Sequence, residues 1–404
     1  MKRAGLALVA ALVVALSSPP LTGQQRPVQP AAARATAAQY FPERLNWEHR
    51  RPEELGMNPA LVAEGVQAAT SAEITANRNL AESIVASFGS EPFFSIIGPT
   101  KARGAASGVI VKNGYIVAEW GEPDRVDMTF SVTKTFLTTM VGLAWQKGLI
   151  RDVNDFARDY MPPDVDLFES EHNRKIRWDH LLRQTSDWQG TLWGKPDWAD
   201  RPVGPRPQNR ELHEPGTFFK YNDVRVNVMA LSALHVLRRP LPEVLREEIM
   251  EPIDASSTWR WHGYENSWVE LDGRRVQSVS GGGHFGGGMF INVYDMARFG
   301  YLFLRNGKWG DRQLVSEKWI EMARTPGVAN ANYGYANWYL NHPAGQNNRK
   351  PVPTAPESSV RFVGNGNNII YIDWENDLVI VTRWSNGLND LVGRTIASLS
   401  PRTN

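Results

Sequence analysis

Ser131 and Lys134 stand one helical turn apart in Met128-Thr-Phe-Ser-Val-Thr-Lys134, and no other serine in the chain has lysine three residues on. On a helix, side chains at i and i+3 share a face, with Cβ atoms about 5–6 Å apart. The hydroxyl and the amine can therefore share a hydrogen bond, so that a nucleophile and its base come from a single turn of backbone. Phe130, Val132, Phe136, Leu137, Met140 and Val141 make the helix apolar nearly all round, the pattern of a buried helix. Burial disfavours an ammonium and can lower a lysine's pKa by several units from ~10.4, leaving a neutral amine able to take the Ser131 proton. The unpaired amides of a helix start also favour negative charge at Oγ and at an attacked carbonyl oxygen. A serine at this position fits a plain helix N-cap too.

A proton must also reach the leaving group. Tyr221 is the candidate, in Pro215-Gly-Thr-Phe-Phe-Lys220-Tyr221-Asn222-Asp223, because a phenol beside an ammonium ionises more easily and can shuttle a proton. The local sequence alone favours a core tyrosine, with Asp223 as the N-cap of a helix from Val224 to Leu237. The segment from Asp187 to Gly216 is long for a loop and carries Trp188, Trp193 and Trp198. It reads either as a lid or substrate wall or as a loop stapled to the core. The glycine cluster Ser280–Gly288 lacks the ending of a phosphate loop and reads as close backbone packing, with His284 structural rather than a ligand.

The elements that must hold these residues are legible in outline. Gly108–Lys112, Asn113-Gly114 and Tyr115–Trp120 form a hairpin signal. Strands are expected at Tyr335–Leu340, Val360–Val363, Ile369–Asp373 and Leu378–Arg383, with helices over Asn58–Ser71, Leu241–Met250, Val293–Leu304 and Leu388–Leu399. Strands at both ends and helices between them predict an α+β fold: one antiparallel sheet flanked by helices, with a mostly helical insert over about 135–280.

Composition narrows the function classes. In 404 residues the net charge is +1, with no basic or acidic run, which gives no reason to expect a nucleic-acid partner. Lys2 and Arg3 precede an apolar run from Ala4 to Leu16 and then small residues to Gly23, the layout of a secretory signal over 1–23. That run is too short for stable membrane insertion. Residues 24–54 read as leader and linker, and 55–404 as the folded domain. There is no cysteine, hence no disulfide, so an exported chain would rest on core burial alone.

Ser131-Val-Thr-Lys134, then Tyr221-Asn-Asp223 after Glu214-Pro-Gly216, then Gly364-Asn-Gly366 leading into Ile369–Val381, together resemble the serine hydrolases related to class C β-lactamases. That group includes β-lactamase-like esterases, D-aminopeptidases and 6-aminohexanoate-dimer hydrolases. The resemblance runs from about Ser107 to the C-terminus and implies the β-lactamase/transpeptidase-like fold with an all-α insert. It implies Ser131 as nucleophile, Lys134 as its base, Tyr221 as relay, and the Ser131 amide as half of an oxyanion hole. Two positions depart from the family pattern. Asp223 replaces the usual asparagine, and a carboxylate there favours the Lys134 ammonium unless it turns away to cap its helix. The usual Lys or His of the third motif is missing; the nearest match is Val363-Gly364-Asn365-Gly366, with Asn365 and Gly366 as the expected amide donors.

The expectation is an exported, periplasmic or secreted serine hydrolase acting without metal or cofactor on a small, uncharged ester or amide. Trp188 and Trp193 are expected at its pocket. Arg361, on the third-motif strand, could restore a cation and keeps a cell-wall D-aminopeptidase or β-lactamase as the alternative, and a non-catalytic binding protein on the same fold is the other. The sequence leaves the oligomeric state open.

Overall fold

The computed structural model describes residues 39–341 and 350–399; the expected signal segment and residues 24–38 of the expected leader lie outside them. In chain order the elements are α1 (Pro59–Ser71), α2 (Leu80–Phe88), β1 (Ser107–Lys112), β2 (Tyr115–Trp120), β3 (Asp127–Met128) and α3 (Thr133–Gln146). They continue with α4 (Trp178–Leu182), β4 (Thr191–Leu192), β5 (Lys195–Pro196), α5 (Asp223–Leu237), α6 (Leu241–Leu245), β6 (Arg260–Leu271), β7 (Arg274–Val279) and β8 (Gly288–Ile291). The last group is α7 (Val293–Leu304), β9 (Lys308–Trp309), β10 (Arg312–Gln313), α8 (Glu317–Ala323), β11 (Trp338–Tyr339), β12 (Val360–Gly364), β13 (Asn368–Asp373), β14 (Leu378–Arg383) and α9 (Leu388–Ala397).

The main sheet runs β11-β12-β13-β14-β1-β2, antiparallel throughout, so N- and C-terminal strands share one sheet as expected. The β1–β2 turn has Asn113 and Gly114 both at positive φ (53° and 91°), the backbone a two-residue turn needs to match strand twist. On β13 and β14, Ile370, Ile372, Val379 and Val381 pack into the core shared with α3 and α7. Ile369, Tyr371, Leu378 and Ile380 pack on the other side with residues of α1 and α9. With both faces covered, these strands read as continuous apolar runs rather than alternating ones.

Two expectations change. Residues 260–279, placed in the mostly helical insert, form the β6–β7 hairpin of a second sheet, β3-β8-β6-β7. Its turn, Asp272-Gly273, has both residues at positive φ (54° and 72°), so a hairpin signal lies in the sequence. The described part of the expected leader and linker is docked on the domain. The Trp47 indole is buried and donates to Gly114 O at 2.7 Å, Tyr40 stacks on Tyr115, and Arg298 donates to Pro42 O at 2.8 Å.

Candidate active site

Ser131 lies in a single 3-10 turn, Phe130–Val132, that runs straight into α3. Arg383 on β14 anchors the approach, donating to Met128 O and Ile291 O at 2.6 Å each and to Asn368 Oδ1 at 2.8 Å. Phe130, just before the serine, is buried at φ 48°, a left-handed conformation that costs a bulky residue energy and that surrounding packing must hold.

Lys134 is 1% exposed, and its Nζ donates to Ser131 Oγ at 2.7 Å. The ring of Tyr221 lies 4.7 Å from the same ammonium, and Ser131 is near enough to act on its phenol. The three residues singled out for catalysis therefore meet at one point. Burial, and then the Asp223 carboxylate, push the Tyr221 phenol far above its ordinary value, and the Ser131 side chain opposes them only in part. The expected easing of its ionisation by the neighbouring ammonium is outweighed, so at neutral pH Tyr221 is a phenol and can donate.

Asp223 does not cap its helix. Asn222 does, its Oδ1 accepting from Arg225 N at 3.0 Å, and α5 starts one residue earlier than expected. The freed Asp223 carboxylate meets Lys134 Nζ at 2.5 Å, Arg201 Nη1 at 2.9 Å and His284 Nδ1 at 3.1 Å. Burial lowers the Lys134 pKa while Asp223 raises it, with the fall prevailing; Asp223 in turn is held well below the carboxylate range by Lys134 and Arg201.

Behind Asp223 the charges continue. Arg201 also binds Asp200 Oδ1 at 2.7 Å, and the Asp223 amide donates to Asp200. His284 reaches Glu91 through Nε2 at 2.7 Å, and Lys195 pairs with the same Glu91 oxygen. Glu91, Asp200 and His284 are spaced closely enough to hold a metal ion, but the Lys195 ammonium and Arg201 guanidinium already occupy their oxygens. The glycine cluster admits this crowding. A Cβ on Gly282 would overlap both Asp223 Oδ1 and Lys134 Nζ.

The other expected residues divide. Gly364 closes on the nucleophile, since a Cβ there would overlap Thr129 O and lie 3.2 Å from Ser131 N, which puts the end of β12 against the serine amide. Asn365 follows at the start of the turn, exposed. Gly366 does not serve as expected: a Cβ there would meet the Trp384 ring and Ile74, and its amide donates to Asn365 Oδ1 at 3.0 Å. Trp188 is core, with Nε1 donating to Leu167 O at 2.6 Å. Trp193 sits in the β4–β5 turn, where its carbonyl accepts from Asn266 at 3.0 Å. For these two the stapling reading holds. Arg361 stands opposite Trp338 in the β11–β12 pair and, among the described residues, makes no hydrogen bond or ion pair.

Sequence reading missed Glu91, Lys195, Asp200 and Arg201, which are far apart in the chain, and an aromatic wall in which Trp338 packs on Tyr221, Tyr333 and Phe219. The signal available was Asp223 itself, since a buried carboxylate beside a lysine calls for further cations.

The beta-lactamase family model matches residues 93–396. The chain belongs to the beta-lactamase family. Within that family of serine hydrolases the Ser131–Lys134–Tyr221 cluster is the candidate catalytic centre. A beta-lactamase/D-alanine carboxypeptidase from Pseudomonas syringae superposes with a TM-score of 0.55 at 15% identity, covering 85% of this chain and 100% of that one. A family VIII carboxylesterase gives 0.53 at 15% identity, covering 85% and 99%. A beta-lactamase/D-alanine carboxypeptidase from Yersinia pestis, complexed with citrate, gives 0.52 at 18% identity, covering 84% and 99%. At these identities the likeness is one of fold. No curated protein matches the chain.

Proposed function

We propose that the protein hydrolyses an ester or amide bond of a small, uncharged substrate through an acyl-enzyme on Ser131. The observation that carries this reading is the 2.7 Å bond between Ser131 Oγ and a buried Lys134 Nζ, with the Tyr221 ring 4.7 Å from that same Nζ. In the fraction of molecules with a neutral Lys134 amine, that amine takes the hydroxyl proton as Oγ bonds to the carbonyl carbon. Tyr221 gives its phenolic proton to the departing oxygen or nitrogen and regains one from Lys134. The Ser131 amide and the backbone that follows Gly364 receive the oxyanion. Water then attacks the acyl carbon, its proton returning through the same groups, and frees the acid and Ser131.

The preference for an uncharged substrate rests on pairing. Lys134, Arg201 and Lys195 each bind a carboxylate of the protein, which leaves them no free charge to draw an anionic substrate. The aromatic wall around Tyr221 suits an apolar acyl or leaving group. Arg361, without a partner among the described residues, favours the second reading, a D-aminopeptidase or β-lactamase whose substrate carboxylate it would bind. Export completes the proposal, supported by the charged-then-apolar N-terminus, and N-terminal sequencing of the mature protein checks it.

A fluorophosphonate probe read by intact mass tests the centre. Wild type should gain one adduct and Ser131→Ala none; an adduct persisting in the variant refutes the assignment. Hydrolysis of p-nitrophenyl butyrate but not nitrocefin is expected, and the reverse selects the second reading.

A further inference from the structure

His284 is packed so that each ring nitrogen faces a carboxylate: Nδ1 lies 3.1 Å from Asp223 Oδ2 and 3.8 Å from Asp200 Oδ1, and Nε2 lies 2.7 Å from Glu91 Oε2. The ring is buried and stacks on Phe88 at 4.0 Å, with Phe285 edge-on. The groups facing it come from four other parts of the chain: Glu91 after α2, Lys195 on β5, Asp200 in the loop beyond, and Asp223 on α5. Lys195 Nζ is 3.3 Å from Nε2 because the two share the Glu91 oxygen. A neutral imidazole has one N–H, so it would turn a lone pair toward one of these carboxylates; only the doubly protonated ring donates to both.

We propose that His284, held by Glu91, is a positioning residue for acylation: as an imidazolium it draws on the charge of Asp223 Oδ2 and so loosens that carboxylate's grip on the Lys134 ammonium.

This role rests on the serine-hydrolase reading of Ser131 and answers the difficulty that Asp223 creates. A carboxylate 2.5 Å from Lys134 favours the ammonium, which cannot take a proton. Asp223, however, serves three donors, with Lys134 on Oδ1 and Arg201 and His284 on Oδ2. Lys134, Arg201 and Lys195 alone would balance Asp223, Asp200 and Glu91. The imidazolium enters as an added donor to Asp223, and its effect reaches Lys134 through that shared carboxylate. The two carboxylates raise the pKa of His284 against the effect of burial, in the same sense.

The sign of the effect follows. Without the imidazolium, Asp223 holds the Lys134 proton more firmly, the Lys134 pKa rises, and the ascending limb of kcat/KM against pH moves upward. In His284→Gln, which keeps a polar side chain of similar reach, the limb should move up by about one unit, with KM for p-nitrophenyl butyrate unchanged. Glu91→Gln should shift it less in the same direction. In an Asp223→Asn background, His284→Gln should shift nothing further, because the carboxylate through which it acts is gone. A limb that stays put in a folded His284→Gln or Glu91→Gln enzyme overturns the proposal, as does an equal shift with and without Asp223. If neither variant folds, 15N spectra of imidazole-labelled wild type decide: two protonated ring nitrogens for His284 at pH 7 are expected, and one protonated nitrogen overturns it. Absence of a probe adduct on wild-type Ser131 would instead strike the hydrolase reading and leave the imidazole spectrum untouched.

Discussion

Lys134 is subject to two opposed influences of similar kind and different range. Its removal from water disfavours the ammonium, and a carboxylate in direct contact favours it. Replacing that carboxylate by a neutral amide of the same shape removes only the second influence. In Asp223→Asn the Lys134 pKa therefore falls, and the ascending limb of kcat/KM should move to lower pH by about one unit. A limb that moves upward, or not at all, would show that Lys134 is not the titrating base. Arg201 and His284 lose a partner in the same variant, so its thermal stability should fall as well. At this scale the sequence was informative about Ser131 and Lys134 because spacing along one helix fixes distance, and about Tyr221 through the motif it shares with Asn222 and Asp223. It was silent on Arg201 and Glu91 because nothing local in a chain marks a partner 22 or 193 residues away.

Elements carry the site through close approach. The 3-10 turn, the end of β12 and the glycine segment before β8 come together with little spare volume around Ser131, Lys134 and Asp223, and two glycines mark where backbones crowd the reacting groups. Gly282→Ala would push a methyl into the Lys134–Asp223 contact. The expected result is a loss of kcat on the order of 10²-fold with the fold retained, read by kinetics beside circular dichroism. Unchanged kinetics would mean that the pair tolerates displacement. The β1–β2 hairpin and α1, α5, α7 and α9 were visible in periodicity and turn chemistry, with α5 off by one residue at its start. The β6–β7 hairpin was obscured because it follows a run of helices and its alternation is broken by a register shift between Gly263 and Trp268. Trp188 was misplaced for another reason. A tryptophan in a long loop suits a pocket wall and a core anchor equally, and only the tertiary packing on Leu167 decides.

Across the whole molecule, Glu91 joins the stretch between α2 and β1 to the insert. Its carboxyl is held down to about 2 by the His284 and Lys195 bonds, which outweigh burial. A depressed carboxyl contributes stability above its unfolded value, near 4.5, and that contribution is lost as pH falls toward 2. Urea midpoints should accordingly fall between pH 4.5 and 2 in wild type and fall less steeply in Glu91→Gln; parallel curves would show that Glu91 stabilises nothing in that window.

The charged cluster also joins residues separated by 193, 89 and 61 positions in sequence. Contacts between such distant segments form late in folding, since closing long loops costs chain entropy before the contact repays it. Newly made or diluted-out chains should thus regain helical ellipticity well before they regain turnover, which stopped-flow dichroism run beside an ester assay would time. For the cell, that interval would make the enzyme catalytically silent until its last long-distance partners have met.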